Sequence, residues 1–213
     1  RTTPTLQQMT EGALNVLEQD EDGFFLMVEG GAIDWQNHAN NADLMMREQV
    51  DFDNSVQAVM DWVEANGGWG ENLLIVTSDH ETGCIWGPDS GIVDVNNTPD
   101  DPSDDEHVFN PVGDNGAGNL PDMDYYSGGH TNALVPLWAR GAGADLFDGL
   151  VDDTDDTAAA FWTQFDNGEW DGSYVDNTDI FTVMESTVPE PASMGLLALG
   201  SLGVLLRRRR RTA

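Results

Sequence analysis

Leu73-Leu74-Ile75-Val76-Thr77-Ser78-Asp79-His80-Glu81-Thr82-Gly83 is the stretch on which the reading of this chain turns. Its first five residues form a short apolar run bounded by turn signals, which suits a strand buried on both faces. Asp79 and His80 stand just past its end. A second run of this kind, Phe24 to Val28, lies between the turn formers Asp20-Glu21-Asp22-Gly23 and the segment Glu29-Gly30-Gly31. Between the two runs, Phe52, Val56, Val59, Met60 and Val63 recur at helical spacing. They predict a helix over about 47–65, ended by Asn66-Gly67-Gly68. Strand, helix, strand predicts two parallel strands joined by a right-handed crossover. The polar residues after each strand then share the C-terminal edge of a sheet, where open α/β folds bind ligands.

Working outward, Leu6, Met9, Ala13, Leu14 and Leu17 predict a helix over residues 4–18, with Thr5 or Thr3 as its cap. Residues 87–127 are rich in Asp, Asn, Gly and Pro and predict a long polar surface excursion. A third apolar run, Ala133 to Ala139, follows His130. Asp152 to Asp156 is acidic, and Asp176 to Phe181 leads into a short helix or strand near Met184. No internal repeat is visible.

The charge balance is extreme. Eight basic residues face 39 acidic ones in 213 residues, a net charge of −31, and there is no lysine. Of the basic residues only Arg1, Arg47 and Arg140 precede the last segment, whose Arg207 to Arg211 are consecutive. A field of this sign repels nucleic acid and anionic lipid, so nucleic acid is not among the expected partners. Two readings of the acidity stand side by side: a surface adapted to salt, which screens the repulsion, and divalent-cation binding by the acidic loops. The single cysteine, Cys84, excludes an internal disulfide and a cysteine-based zinc finger.

Four histidines are present, and three of them, His38, His80 and His130, sit among small residues and carboxylates. Imidazole and carboxylate are zinc donors. Asp34 and His38 are four apart, so one helical turn or a tight loop presents both to one point. Glu29, at the end of an apolar run, needs a partner, and a hard cation such as Mg²⁺ suits it. Three features are set aside. Glu18 to Glu29 nearly spells an EF-hand loop but runs into a strand-like segment where a helix is required. Asp89-Ser90-Gly91 is read as a turn, and His107 as a solvated loop histidine.

FFLMVEGGAIDWQNHANN at 24–41, LLIVTSDHETG at 73–83, GGHTNALVPLWARGAGADLF at 128–147 and DNTDIFTVM at 176–184 together resemble the C-terminal portion of an alkaline phosphatase. The resemblance covers roughly residues 4–185 and is loosest over 87–127. It implies an alkaline-phosphatase-like sandwich, a central and largely parallel sheet flanked by helices. It also implies a site of two Zn²⁺ and one Mg²⁺: Asp34, His38 and His130 on one zinc, Asp79 and His80 on the other, Glu29 on magnesium. The activity implied is phosphomonoester hydrolysis through a phosphoserine, with the metal ions clamping an in-line displacement. The family's nucleophilic serine, a further metal-ligating aspartate and the phosphate-clamping arginine belong upstream of the Glu29 segment, and no such region is found here. The chain is therefore expected to be a fragment and to be inactive alone. Trp35 stands where some relatives carry a basic residue that contacts phosphate through water.

Val188-Pro189-Glu190-Pro191, fifteen mostly apolar residues from Ala192 to Leu206, and the arginine cluster resemble a PEP-CTERM sorting signal. As a helix the apolar run spans about 22 Å, short of the roughly 30 Å hydrocarbon core. The resemblance implies export in a Gram-negative bacterium, to periplasm or cell surface. It implies transient anchoring in the inner membrane and cleavage by an exosortase-type enzyme. Two domains are expected: residues 1–186, with an acidic insertion at 87–127, and a tail at 187–213. The partners expected are a phosphomonoester, the processing enzyme and a second copy of the chain in a homodimer. The rival readings are a phosphodiesterase, sulfatase or phosphonate hydrolase of the same superfamily, and a non-catalytic surface protein that binds divalent cations.

Overall fold

A computed structural model describes residues 3–94, 105–166 and 170–187. The first helix, α1, spans Leu6–Leu17 and begins at a reciprocal cap. The Thr5 hydroxyl accepts the Gln8 N–H at 3.1 Å, and Gln8 Oε1 accepts the Thr5 N–H at 3.1 Å. These bonds satisfy two of the donors that a helix start leaves free. The long helix α3, Ala42–Ala65, begins five residues before the expected start because the Asn41 side chain caps it by accepting the Leu44 N–H. Leu14 of α1 and Met45 and Val63 of α3 are buried, and α1 packs along α3. The Leu6 N–H also donates to Asp51 Oδ2 at 2.8 Å, which sets the register of the two helices.

Between them lies the short helix α2, Ala32–His38. Asn40, in the left-handed region at φ 51°, terminates it. The Asn40 N–H donates to the Asn37 carbonyl and the Asn41 N–H to the Gln36 carbonyl, a Schellman closure with asparagine in the usual glycine place.

Strand β1 covers Leu73–Thr77, the bounds read from sequence, but its partner differs from expectation. It pairs antiparallel with a later strand, Leu137–Gly141, in register from Leu73 opposite Gly141 to Thr77 opposite Leu137. A side chain at Gly141 would put its Cβ 1.9 Å from the Asn72 carbonyl oxygen, so only glycine allows this approach. The run Phe24–Val28 is not a strand and makes no parallel ladder with β1. No backbone hydrogen bond joins it to another described segment, and without ladder bonds an apolar run remains irregular chain. Its burial alternates, with Phe25 and Met27 exposed, so only one side is covered. On that side Phe24 meets the Trp62 ring edge-on at 5.5 Å. The α/β class stands, and every strand pair among the described residues is antiparallel.

The remaining pairs are short. In chain order β2 is Glu81–Thr82, β3 Ile85–Trp86, β4 Gly91–Asp94, β5 Asp105–Val108, β6 Asp124–Tyr125, β7 His130–Thr131, β8 the Leu137–Gly141 strand, β9 Asp153–Thr154 and β10 Ser173–Tyr174. β2 pairs with β7, β3 with β6, β4 with β5 and β9 with β10. The polar excursion at 87–127 is therefore closed at its base by the β3–β6 pair and folded back on itself through the β4–β5 ladder. Its Asp/Asn/Gly composition hides the alternation that would have announced them. A helix α4, Asp156–Asp166, follows the acidic run, and α5, Asp179–Thr187, settles the choice near Met184 in favour of helix. Val183 of α5 is fully buried, and Phe147, in the 3-10 turn Ala144–Gly149 on which α5 packs, is buried too.

Candidate metal centre

Helix α2, the exit of β1 and the β2–β7 pair converge on one place. One turn of α2 puts His38 Nε2 3.5 Å from Asp34 Oδ1. The chain leaving β1 delivers Asp79 and His80, just past the strand's C-terminal end as expected. The β2–β7 register sets Thr82 opposite His130. The His130 ring centroid lies 3.7 Å from that of His80 and 4.7 Å from that of His38. Asp34, His38 and His130 each offer a donor atom, and these atoms lie within 4.8 Å of one another.

The hydrogen bonds decide which ring nitrogens are free. His38 Nδ1 lies 2.8 Å from the Gly128 carbonyl oxygen. A carbonyl only accepts, so Nδ1 carries a proton, and in the neutral ring Nε2 presents a lone pair. His130 Nδ1 stands 3.2 Å from the Glu81 carbonyl, with the same consequence. Carbonyl-tethered imidazoles with a free Nε2 are the form that metals bind. The donor spacing fits as well: tetrahedral zinc with bonds of about 2.0–2.1 Å sets neighbouring ligand atoms roughly 3.3 Å apart, and His38 and Asp34 are 3.5 Å apart.

Of the other expected ligands, His80 lies beside this group through its ring contact with His130. Asp79 Oδ2 is 3.3 Å from His80 Nε2, with the Asp79 side chain 86% exposed. Glu29 is exposed and stands outside the three-residue donor group. Its Oε1 lies over Gly31, where a Cβ would come within 2.9 Å. Asp89-Ser90-Gly91 is a turn, with Asp89 at φ 63°. Ser90 Oγ donates to the Gly87 carbonyl at 2.7 Å and accepts the Asn110 N–H at 2.9 Å. The side chain of His107 lies outside the described residues.

Sequence reading missed the groups that hold the candidate donors. Thr82, 6% exposed, places its hydroxyl 2.7 Å from Asp34 Oδ1. The Glu81 carboxylate accepts the Cys84 N–H through Oε1 and the Thr131 hydroxyl at 2.6 Å through Oε2, clamping β2 to β7. The Tyr125 hydroxyl donates to Oδ1 of buried Asn37 at 3.0 Å, pinning α2 to β6. Burial pushes the Tyr125 phenol above its ordinary value. One signal was present: Thr82 is two residues past His80, the spacing that returns a side chain to the same side of an extended chain.

A family profile for alkaline phosphatase matches residues 1–108, just over half of the chain. The chain belongs to the alkaline phosphatase family. It is 35% identical over 158 residues to an alkaline phosphatase of Escherichia fergusonii, covering 72% of this chain and 30% of that one. It is 28% identical over 198 residues to alkaline phosphatase 3 of Bacillus subtilis, covering 71% and 42% respectively. The chain thus spans less than half the length of these relatives. Among solved structures, alkaline phosphatase from the Antarctic bacterium TAB5 aligns with a TM-score of 0.48 at 30% identity, covering 67% of this chain and 35% of that one. Residues 187–211 match the PEP-CTERM protein-sorting motif, which marks an exported alkaline phosphatase homologue with a C-terminal sorting tail. No helix among the described residues is long and apolar enough to cross a membrane. The tail itself lies outside them.

Proposed function

We propose that this chain carries the metal-binding part of an exported alkaline phosphatase that hydrolyses phosphomonoesters. The observation that carries this reading is the convergence of Asp34, His38 and His130 donors within 4.8 Å. In this reading these three residues hold one Zn²⁺, Asp79 and His80 hold a second, and Glu29 serves a Mg²⁺. When bound, such ions offset the negative charge on the oxygens of a transferring phosphoryl group.

The chain's own residues keep the donors ready. The Gly128 and Glu81 carbonyls hold protons on Nδ1 of His38 and His130, and helix α2 fixes Asp34 against His38. Serines close in sequence to these ligands are committed elsewhere. Ser78 Oγ donates to the His80 carbonyl at 2.8 Å, and Ser127 Oγ accepts the Gly129 N–H at 3.0 Å. Together with the turn role of Ser90, this supports a nucleophilic serine contributed from outside residues 1–213. The PEP-CTERM match supports delivery to periplasm or cell surface with processing by an exosortase-type enzyme.

The test is metal analysis of the purified chain after equilibration with Zn²⁺ and gel filtration. His38→Ala and His130→Ala each lower the bound zinc relative to the unchanged chain, while a generic phosphomonoester is not turned over by any of the three. Zinc stoichiometry that ignores both substitutions sinks the site, and robust turnover by residues 1–213 sinks the placement of the nucleophile.

A further inference from the structure

We propose that the Thr82 hydroxyl is a positioning group for the metal ligands, a single buried oxygen that orients Asp34, His80 and His130 together. The inference rests on the metal-binding reading above and extends it to a residue that binds no metal itself. Thr82 Oγ1 lies 2.7 Å from Asp34 Oδ1, 3.0 Å from His130 Nδ1 and 3.3 Å from His80 Nδ1. It is the polar atom that all three side chains share, and the residue is only 6% exposed.

Proton counting makes the arrangement directional. A hydroxyl has one proton and two lone pairs. An ionised carboxylate only accepts, so the proton goes to Asp34. The two lone pairs then face two ring nitrogens, and each is satisfied only by an N–H. For His130 the Glu81 carbonyl, 3.2 Å from Nδ1, independently requires the same proton. The count closes with Nδ1–H on both rings and leaves Nε2 of each as the metal donor, that of His80 beside Asp79 Oδ2 at 3.3 Å. His38 reaches the same state through Gly128. One oxygen thereby couples two ligands of the first proposed zinc, Asp34 and His130, to His80 of the second. Outer-shell partners of this kind typically set metal affinity by about 10–100-fold.

The experiment compares the full chain with Thr82→Val, which keeps the shape and removes the hydroxyl, and Thr82→Ser, which keeps the hydroxyl. Zn²⁺ affinity is read by competition with a chromophoric chelator, and ligand geometry by the visible bands of the Co²⁺-loaded chain. Thr82→Val is expected to weaken Zn²⁺ binding by about 10–100-fold and to shift the Co²⁺ bands, with Thr82→Ser recovering both. A valine variant that folds by circular dichroism and matches the unchanged chain in both readouts overturns the proposal. Long-range ¹H–¹⁵N spectra of the zinc-loaded, unsubstituted chain give a test that needs no variant. Nδ1–H is expected on His80 and His130, and Nε2–H on either overturns the assignment. Failure of the unsubstituted chain to bind zinc at all overturns the metal reading and this one with it, whereas zinc binding indifferent to the valine overturns this one alone.

Discussion

Tyr125 shows how one hydroxyl reaches across 88 residues of sequence to hold the helix that carries Asp34 and His38. Its bond to Asn37 Oδ1 anchors the residue next to His38. Because burial raises its pKa above 10.0, the unfolded chain loses this proton first as pH climbs. Stability is therefore full below about pH 10 and declines as pH rises through the folded value. Tyr125→Phe should lower stability at pH 8 by about 1 kcal/mol, one lost hydrogen bond, and flatten the decline above pH 10. Urea unfolding between pH 8 and 11 measures both, and an unchanged alkaline slope would deny Tyr125 this role. The sequence announced the candidate donors at this scale, because His38, His80 and His130 are scarce residues set among carboxylates and glycines. It did not announce Tyr125, Thr82 or Glu81. A tyrosine, a threonine and a glutamate have ordinary places on any surface, and only contacts made across dozens of residues give these three a task.

Among the elements, the two long helices α1 and α3 were the most legible. The apolar spacing of Leu6, Met9, Leu14 and Leu17 is local information, and so is the Thr5–Gln8 cap. Strand β1 was found to the residue, since a short apolar run between turn signals carries its own ends. Its partner was not found, because strand pairing is a long-range choice. Gly141 decides it by letting the chain pass the Asn72 carbonyl where a Cβ would collide at 1.9 Å. Arg140 on the same strand adds a lock, its guanidinium carbon lying 4.0 Å from the ring centroid of Trp69. Gly141→Ala combines that collision with a φ of 112° and is expected to cost roughly 3 kcal/mol or more. A denaturant midpoint equal to that of the unchanged chain would show that the β1–β8 register is not as described. Phe24–Val28 has the composition of β1 and lacks its ladder, so composition alone does not separate a paired strand from an unpaired run.

Taken as a whole, the molecule carries a net charge of −31, and self-repulsion of that size opposes compactness. Raising NaCl from about 0.01 M to 1 M shortens the screening length from about 30 Å to 3 Å. The melting temperature should rise with salt, each kcal/mol being worth about 2–4 °C for a chain of this length. A flat salt profile in thermal melts would mean that the acidic side chains lie too far apart to interact. The sequence by itself determined the α/β class, the two long helices α1 and α3, the charge, the sorting tail and the identity of the metal-type residues, because each is written in local spacing or composition. Tertiary structure alone decided that β1 runs against Leu137–Gly141, that the acidic excursion folds into ladders, and that one threonine oxygen meets Asp34, His80 and His130. Those outcomes depend on which distant segments face one another, and ladder bonds and proton counts act only once the chain has brought them together.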